Sequence, residues 1–258
     1  MQNIYPMFER NRILKKELLW SLRDYSFAHI QLEYQDYGGG LLRGCKIDVR
    51  DGNLVVGPGI IKYGNFIILI TEEMRISYTP ADQVQYLKIK MESDHSSLDY
   101  VAYKVELFMD TQGYKEENEI ELCRFHLRKG ACLRASYTDF TDLATEYDTI
   151  NLIHANWGGL GGGTISPAIT RYFAEILLCS ENSQPADCMF AYLCLSQPGA
   201  VPVSVVSNYI EQKTGSWSSA SMNNQKIYEA MCAIIKMVRK GGGKSIKNVK
   251  EKHRILVD

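Results

Sequence analysis

The sequence predicts an α+β fold: an N-terminal helix, an antiparallel β sandwich or barrel, and a C-terminal helical bundle with a basic tail. Three observations predict it. Apolar residues recur at helical spacing before Tyr34. From Gly44 to Tyr78, short β-branched runs alternate with Asp-Gly, Gly-Pro-Gly and Gly-Asn turns. Beyond Asp139, segments punctuated by Pro and Gly regain a helical period. Hydrophobic periodicity is the strongest local signal in a sequence, and the two periods separate helix from strand. The expected divisions are a helical segment over 1–40, a β domain over 41–138, a helical domain over 139–241 and a basic arm over 242–258.

The first helix is expected over Phe8 to Tyr34. Leu14, Leu18, Leu22 and Tyr25 form one apolar row, and Ile13, Trp20 and Phe27 form a second, seven residues apart. A helix that is apolar on two faces needs more than one neighbour. Burial within its own chain meets that need, and so does packing on a partner subunit. Gly38, Gly39 and Gly40 end the segment.

The β region follows, from about Leu42 to Leu133. Asp51-Gly52 and Gly64-Asn65 are tight-turn signals, because Gly and Asn tolerate the positive φ of two-residue hairpins. Three longer alternating strands are expected at Val84–Met91, Tyr100–Met109 and Glu119–Arg128. In the last, the alternation slips at Cys123–Arg124, which predicts a bulge. One wet face is expected, with Glu116, Glu117, Glu119 and Glu121 on a solvated edge.

Four helices are expected next. Ser166-Pro167 offers an N-cap followed by Pro in the first turn. Ile169, Phe173, Ile176 and Leu177 make the buried stripe of that helix. Pro185 to Leu195 is the second, stopped by Gln197-Pro198-Gly199. Pro202 opens the third, with Val205, Val206, Tyr209 and Ile210 inward. Asn224 to Lys240 is the fourth, with Ile227, Met231, Ile234, Ile235 and Val238 on one face and Gly241 as its stop.

Composition narrows the function. A chain of 258 residues with 45% hydrophobic residues can bury a sizeable core, and a net charge of −1 carries no overall nucleic-acid signature. Seven Cys with no CxxC pair point to free thiols in a reducing cytoplasm, used mainly as core filler. Pro6, Glu9, Arg10 and Arg12 interrupt any leader-like run, and no apolar stretch approaches the ~20 residues of a membrane span. A soluble chain without a membrane span is expected.

No chemical motif survives its context. Gly241-Gly242-Gly243-Lys244-Ser245 ends like a phosphate-binding loop, but Val238 stands where the first Gly belongs, and a helix rather than a strand leads in. Trp157 to Gly163 reads as a hinge between the β and helical parts, or as a docking loop pressed on another backbone. The five His residues show no i,i+4 pair. No cofactor, metal or catalytic residue is expected, and no small-molecule substrate. The tail from Lys236 to Asp258 holds eight Lys or Arg against two acidic residues and closes on Arg254-Ile255-Leu256-Val257-Asp258. It reads as an arm whose apolar triplet anchors on a neighbour or packs on the chain's own core. The alternatives are nucleic-acid binding by that tail and a Cys-dependent hydrolase.

The segment Gly44 to Ile70 resembles the N-terminal β modules of bacteriophage tail-fibre and baseplate proteins, in its G-C-x-I-x-V, L-V-V-G-P-G-I-I and G-N-F-I-I-L pattern. Over most of its length the chain resembles a prophage-borne family of gut Firmicutes, sometimes labelled "DNA and RNA helicase". The shared pieces are FERNRILKKELLWSLRDYSFAHIQLEY, ENEIELCRF, EYDTIN, FAYLCLSQPGAVP and RILVD. The helicase label does not suit this chain, whose only helicase-like feature is the defective GGGKS. The resemblance implies a non-enzymatic component of a phage tail or phage-tail-like contractile particle, at the baseplate or fibre-attachment region. It implies as partners other tail and baseplate proteins and copies of itself. It places the chain in the bacterial cytoplasm during assembly and then in the particle. The interaction residues expected are Trp20, Phe27, Trp157, Ile255, Leu256 and Val257.

Overall fold

The computed structural model describes residues 7, 10, 13, 15–94, 97, 101–113, 116–144, 147–215 and 223–240. Helix α1 spans Lys16–Glu33. Among the described residues nine strands follow: β1 (Gly40–Gly44), β2 (Ile47–Arg50), β3 (Asn53–Val56), β4 (Gly59–Tyr63), β5 (Phe66–Ile70), β6 (Met74–Ser77), β7 (Val84–Asp94), β8 (Ala102–Asp110) and β9 (Glu119–His126). A short hairpin of β10 (Trp157–Gly159) and β11 (Gly162–Thr164) precedes helices α2 (Pro167–Leu178), α3 (Pro185–Ser196), α4 (Val203–Thr214) and α5 (Asn224–Lys240). The fold is α+β, with the N-terminal helix first and the helical bundle last, as the periodicity predicts.

The strands do not close into a barrel. Among the described residues they sort into three sheets, ordered β11-β10-β1-β4-β5, β2-β3-β6 and β8-β7-β9. Turn chemistry explains the local pairing. Asp51 and Gly52 both take positive φ, 50° and 73°, and join Arg50 to its partner Asn53. That double positive φ matches the right-handed twist of the strands it connects. The three sheets share one core, built from Leu41, Leu54, Val56, Ile61, Leu87, Ile89, Leu122 and Phe125 among others.

The bulge predicted in the third long strand falls one residue earlier. Leu87 pairs with Cys123 and Lys88 with Glu121, so Leu122 is the extra residue. The wet-face expectation is corrected here. Leu122, Cys123 and Glu121 are all buried. The reason is the segment that follows β9. It runs back along the strand, with the Arg124 and Asn151 backbones exchanging hydrogen bonds of 3.1 and 2.7 Å. Glu121 is therefore covered, and the Arg124 guanidinium answers its charge at 2.7 and 3.0 Å.

A second core fills the helical bundle, from Phe140, Ile169, Phe173, Leu177 and Phe190 to Ile227, Met231 and Ile234. Ser166 caps α2 by accepting the Ala168 amide, with Pro167 next, as its sequence predicts. The predicted inward faces of α2, α4 and α5 are the buried ones, with Ile176 and Val205 only half-buried. Tyr137 and Leu152 pack against both cores.

Trp157 to Gly163 is a hairpin, not a hinge. Trp157 pairs in parallel with Leu41, adding the hairpin to the edge of the β1 sheet. A Cβ on Gly158 would lie 2.2 Å from the Gly38 carbonyl oxygen, and one on Gly38 would lie 2.6 Å from the Gly162 carbonyl carbon. The glycines serve close backbone approach, which is the alternative reading of this run.

Candidate protein-interaction surfaces

Helix α1 is the most unusual element. None of its 18 residues is buried. Leu19, Trp20, Leu22, Tyr25, Phe27 and Leu32 are between 45% and 65% exposed. The chain does not bury this helix in its own core, which corrects the simpler of the two expectations. At 100° per residue, Leu18, Leu22, Tyr25 and Leu32 share one face, and Trp20 and Phe27 lie on the opposite one. An isolated helix of this length is marginal in water even for good helix-forming sequences. Its two partly exposed apolar faces are the least self-sufficient surface among the described residues.

What holds α1 is at its C-terminal end. The Lys62 ammonium on β4 donates to the carbonyl oxygens of Tyr34, Gln35 and Tyr37, at 2.8, 2.9 and 2.7 Å. The helix end exposes carbonyls that lack intrahelical partners, and a cation there completes them. Tyr34 is buried, and its ring meets Tyr37 edge-on at 5.3 Å. The Gly161 amide donates to the Asp36 carbonyl oxygen at 3.0 Å, so the β10–β11 hairpin braces the same turn.

A second apolar surface lies on the bundle. Met189 and Tyr192 of α3 are 73% and 64% exposed. Helix α3 is apolar on nearly every side, so burying one side leaves another bare. Beside it a shallow groove of about 480 Å³ runs between α3 and α4, lined by Met189, Phe190, Leu193, Val205 and Tyr209. The floor is stiff. Phe190 and Tyr209 stack at 4.0 Å, and the Tyr209 hydroxyl donates to Asp187 at 2.6 Å. Asp187 is fully buried at the start of α3, where it also accepts from the Gln184 amide and from Lys213. Burial pushes its carboxyl up, but Tyr209, the Gln184 amide and Lys213 outweigh that and hold it below the usual carboxylate range. The cluster is satisfied and structural, pinning α3 to α4.

The remaining buried polar groups are matched in the same way. Lys88 is fully buried and donates to Asp110 at 2.6 Å and Glu119 at 3.3 Å. Arg134 bridges Asp142 and Asp148. Burial pushes the Cys45 and Cys194 thiols up to about 12 and raises Cys123 further, the reverse of an activated nucleophile. Cys132 and Cys179 are exposed. Among the described residues, no group of three or more His, Cys, Asp or Glu could hold a metal ion. No helix among them is long and apolar enough to cross a membrane.

The structure places Trp20 and Phe27 on one exposed face of α1, 49% and 62% accessible. Trp157 sits half-buried in β10, against the β core and away from that face. Ile255, Leu256, Val257 and the glycine-lysine stretch after Lys240 lie outside the described residues. Sequence reasoning missed Met189 and Tyr192. Their signal is the lack of a polar face along Pro185 to Leu195.

No protein-family model matches the chain, and no curated protein does. Among solved structures, one similar chain is described as a crystal structure of TssK. The TM-score is 0.36 and the identity 8%, over 96% of this chain and 71% of that one. Another is in a cryo-electron microscopy structure of the TssK-TssF-TssG baseplate subcomplex of the type VI secretion system. There the TM-score is 0.39 and the identity 8%, over 94% of this chain and 100% of that one.

Proposed function

We propose that the chain is a non-enzymatic assembly component of a phage tail or phage-tail-like contractile particle, in its baseplate or fibre-attachment region. One observation supports an assembly role above all: α1 is clamped at one end, has no buried residue and leaves large apolar side chains about half exposed. Burying a Leu, Phe or Trp side chain stabilises by ~1.5–3 kcal/mol. Five such side chains, Leu19, Trp20, Leu22, Phe27 and Leu32, each about half exposed, make this helix a surface waiting for neighbours. The small sheets offer no chemical cluster, and the buried acids and thiols are paired or unreactive. The sequence resemblance to tail-fibre and baseplate β modules supplies the kind of particle. The partners are other tail and baseplate proteins, reached through the face carrying Trp20 and Phe27.

Incorporation tests this. Particles purified from the producing host should contain the wild-type chain and exclude a Trp20→Asp, Phe27→Asp variant that keeps its circular dichroism and melting temperature. Equal incorporation of that variant would refute the role given to this face.

A further inference from the structure

The groove between α3 and α4 opens where α5 ends. Asn182, on the turn into α3, donates to the Val238 carbonyl oxygen near the end of α5, at 3.2 Å. Asp187, in the first turn of α3, accepts from Lys213 in the last turn of α4 at 3.0 Å. The start of α3 and the ends of α4 and α5 therefore share one end of the bundle. Ala186 and Gln212 line the groove at that end, and Leu193 and Ser204 line it at the other.

We infer that Ile255, Leu256 and Val257 of the same chain fill this groove, entering between Ala186 and Gln212. Length agrees. Asn182 and Ala186 are four residues apart, so at most ~15 Å at 3.8 Å per residue. Residues 241–254 separate α5 from the triplet. A coil of that length spans ~20 Å on average and about 46 Å when extended. From Ala186 to Leu193 the wall rises ~10 Å, and three extended residues cover ~10 Å.

Chemistry agrees as well. None of the groove's lining residues is charged, and neither is any residue of the triplet. Phe190 and Tyr209 make an apolar floor that is already stacked, so little ordering is needed to receive an apolar segment. Met189 is 73% exposed on the rim and would be covered. Along the α4 wall, Ser204, Asn208 and Gln212 stand one turn apart as polar partners for the backbone of an extended segment. Charge stays outside. The linker carries Lys244, Lys247, Lys250, Lys252 and Arg254 against Glu251. Glu181, beside Asn182, and Glu211, beside Gln212, are exposed near its path. So short a tether holds the triplet at millimolar effective concentration, which favours the chain's own arm over that of a second copy.

Oxidation of methionines by dilute hydrogen peroxide, read residue by residue by mass spectrometry, tests this on the full chain. Met7 is 67% exposed and serves as the exposed reference, and Met231 is fully buried and reports unfolding. Met189 should oxidise about tenfold more slowly than Met7, as expected of a groove open about a tenth of the time. In a variant with Ile255→Ser, Leu256→Ser and Val257→Ser it should oxidise as fast as Met7, while Met231 stays protected. Adding a synthetic peptide of residues 250–258 to that variant should slow Met189 again. Equal Met189 rates in wild type and variant would overturn the docking. Protection that strengthens with protein concentration would assign the groove to a second copy and overturn it too. Oxidation of Met231 in the variant would make the triplet part of the bundle core rather than an arm in this groove. Trp20 and Phe27 are unaltered throughout, so the incorporation test stands apart from this one.

Discussion

The Lys62 ammonium on β4 donates to the Tyr34 carbonyl oxygen at 2.8 Å, and through this contact a strand decides where an exposed helix points. Gln35 and Tyr37 accept from the same ammonium. Lys62 sits opposite Gly40 in the sheet, so its position is set by the β1–β4 register. Helix α1 can stay bare and still leave the body in one direction, which is what a docking element requires.

Replacing this lysine should act locally. Lys62→Met keeps the apolar stem and removes three charge-assisted hydrogen bonds, part of whose strength is already lost to solvent. A cost of about 1–3 kcal/mol is expected. Amide exchange over 34–40 should quicken sharply while exchange in β7 and β9 stays unchanged. Protection unchanged over 34–40 would show that the clamp is not what orders the exit.

The hairpin glycines separate by position. Gly158→Ala should cost several kcal/mol, because the new methyl would meet the Gly38 carbonyl oxygen at 2.2 Å, and backbone cannot yield as a side-chain end can. Gly163→Ala should shift the melting temperature by no more than about a degree, since its nearest neighbour would be 3.9 Å away. Similar losses from both, read by thermal unfolding, would contradict the close-approach account.

Removing Asp187 should loosen the bundle. Asp187→Ala deprives Tyr209 and Lys213 of a buried acceptor and uncaps α3, at a cost of about 2–4 kcal/mol. The pH dependence follows from the depressed carboxyl. Its stabilisation is fully present above the unfolded value near 3.9 and is lost as pH falls through the lower folded value. Urea midpoints of wild type and variant should therefore converge in strong acid. A gap that stays constant down to pH 2 would count against the ion pair.

Lys88 makes the same test at the other end of the scale. Burial lowers its ammonium, but Asp110 and Glu119 outweigh that and hold it above the usual lysine value. Its contribution is present below the unfolded value near 10.4 and is lost as pH rises through the folded one. Lys88→Ala should cost about 3–5 kcal/mol near neutral pH, since it leaves Glu119 almost buried without its cation. A loss below about 1 kcal/mol would place these charges in solvent.

Legibility in the sequence followed how local each cause was. Asp51-Gly52 and Ser166-Pro167 were readable because a turn or a cap is decided within four residues. The bulge at Leu122 was readable to within one residue, because a slip in alternation marks a region rather than an atom. Lys88 and Glu121 were not readable as buried. Glu121 is covered where the chain returns at Asn151 and Lys88 is closed in by Asp110 and Glu119 on neighbouring strands, and a wet strand face and a paired buried one show the same alternation. Trp157 to Gly163 allows both a hinge and a close-packed loop, because glycine serves freedom and close contact alike, and only the neighbouring backbone at Gly38 tells which. The two apolar rows of α1 were legible. That the chain leaves them bare was not, since periodicity shows that a face needs a partner without showing whose.

The central claim, an assembly component of a tail-like particle, is tested most directly by electron microscopy of particles from the producing host with this chain carrying an affinity label. The account predicts label at one end of the particle, in the baseplate or fibre-attachment region. Intact particles that carry no label, with the chain recovered free in the lysate, would contradict it.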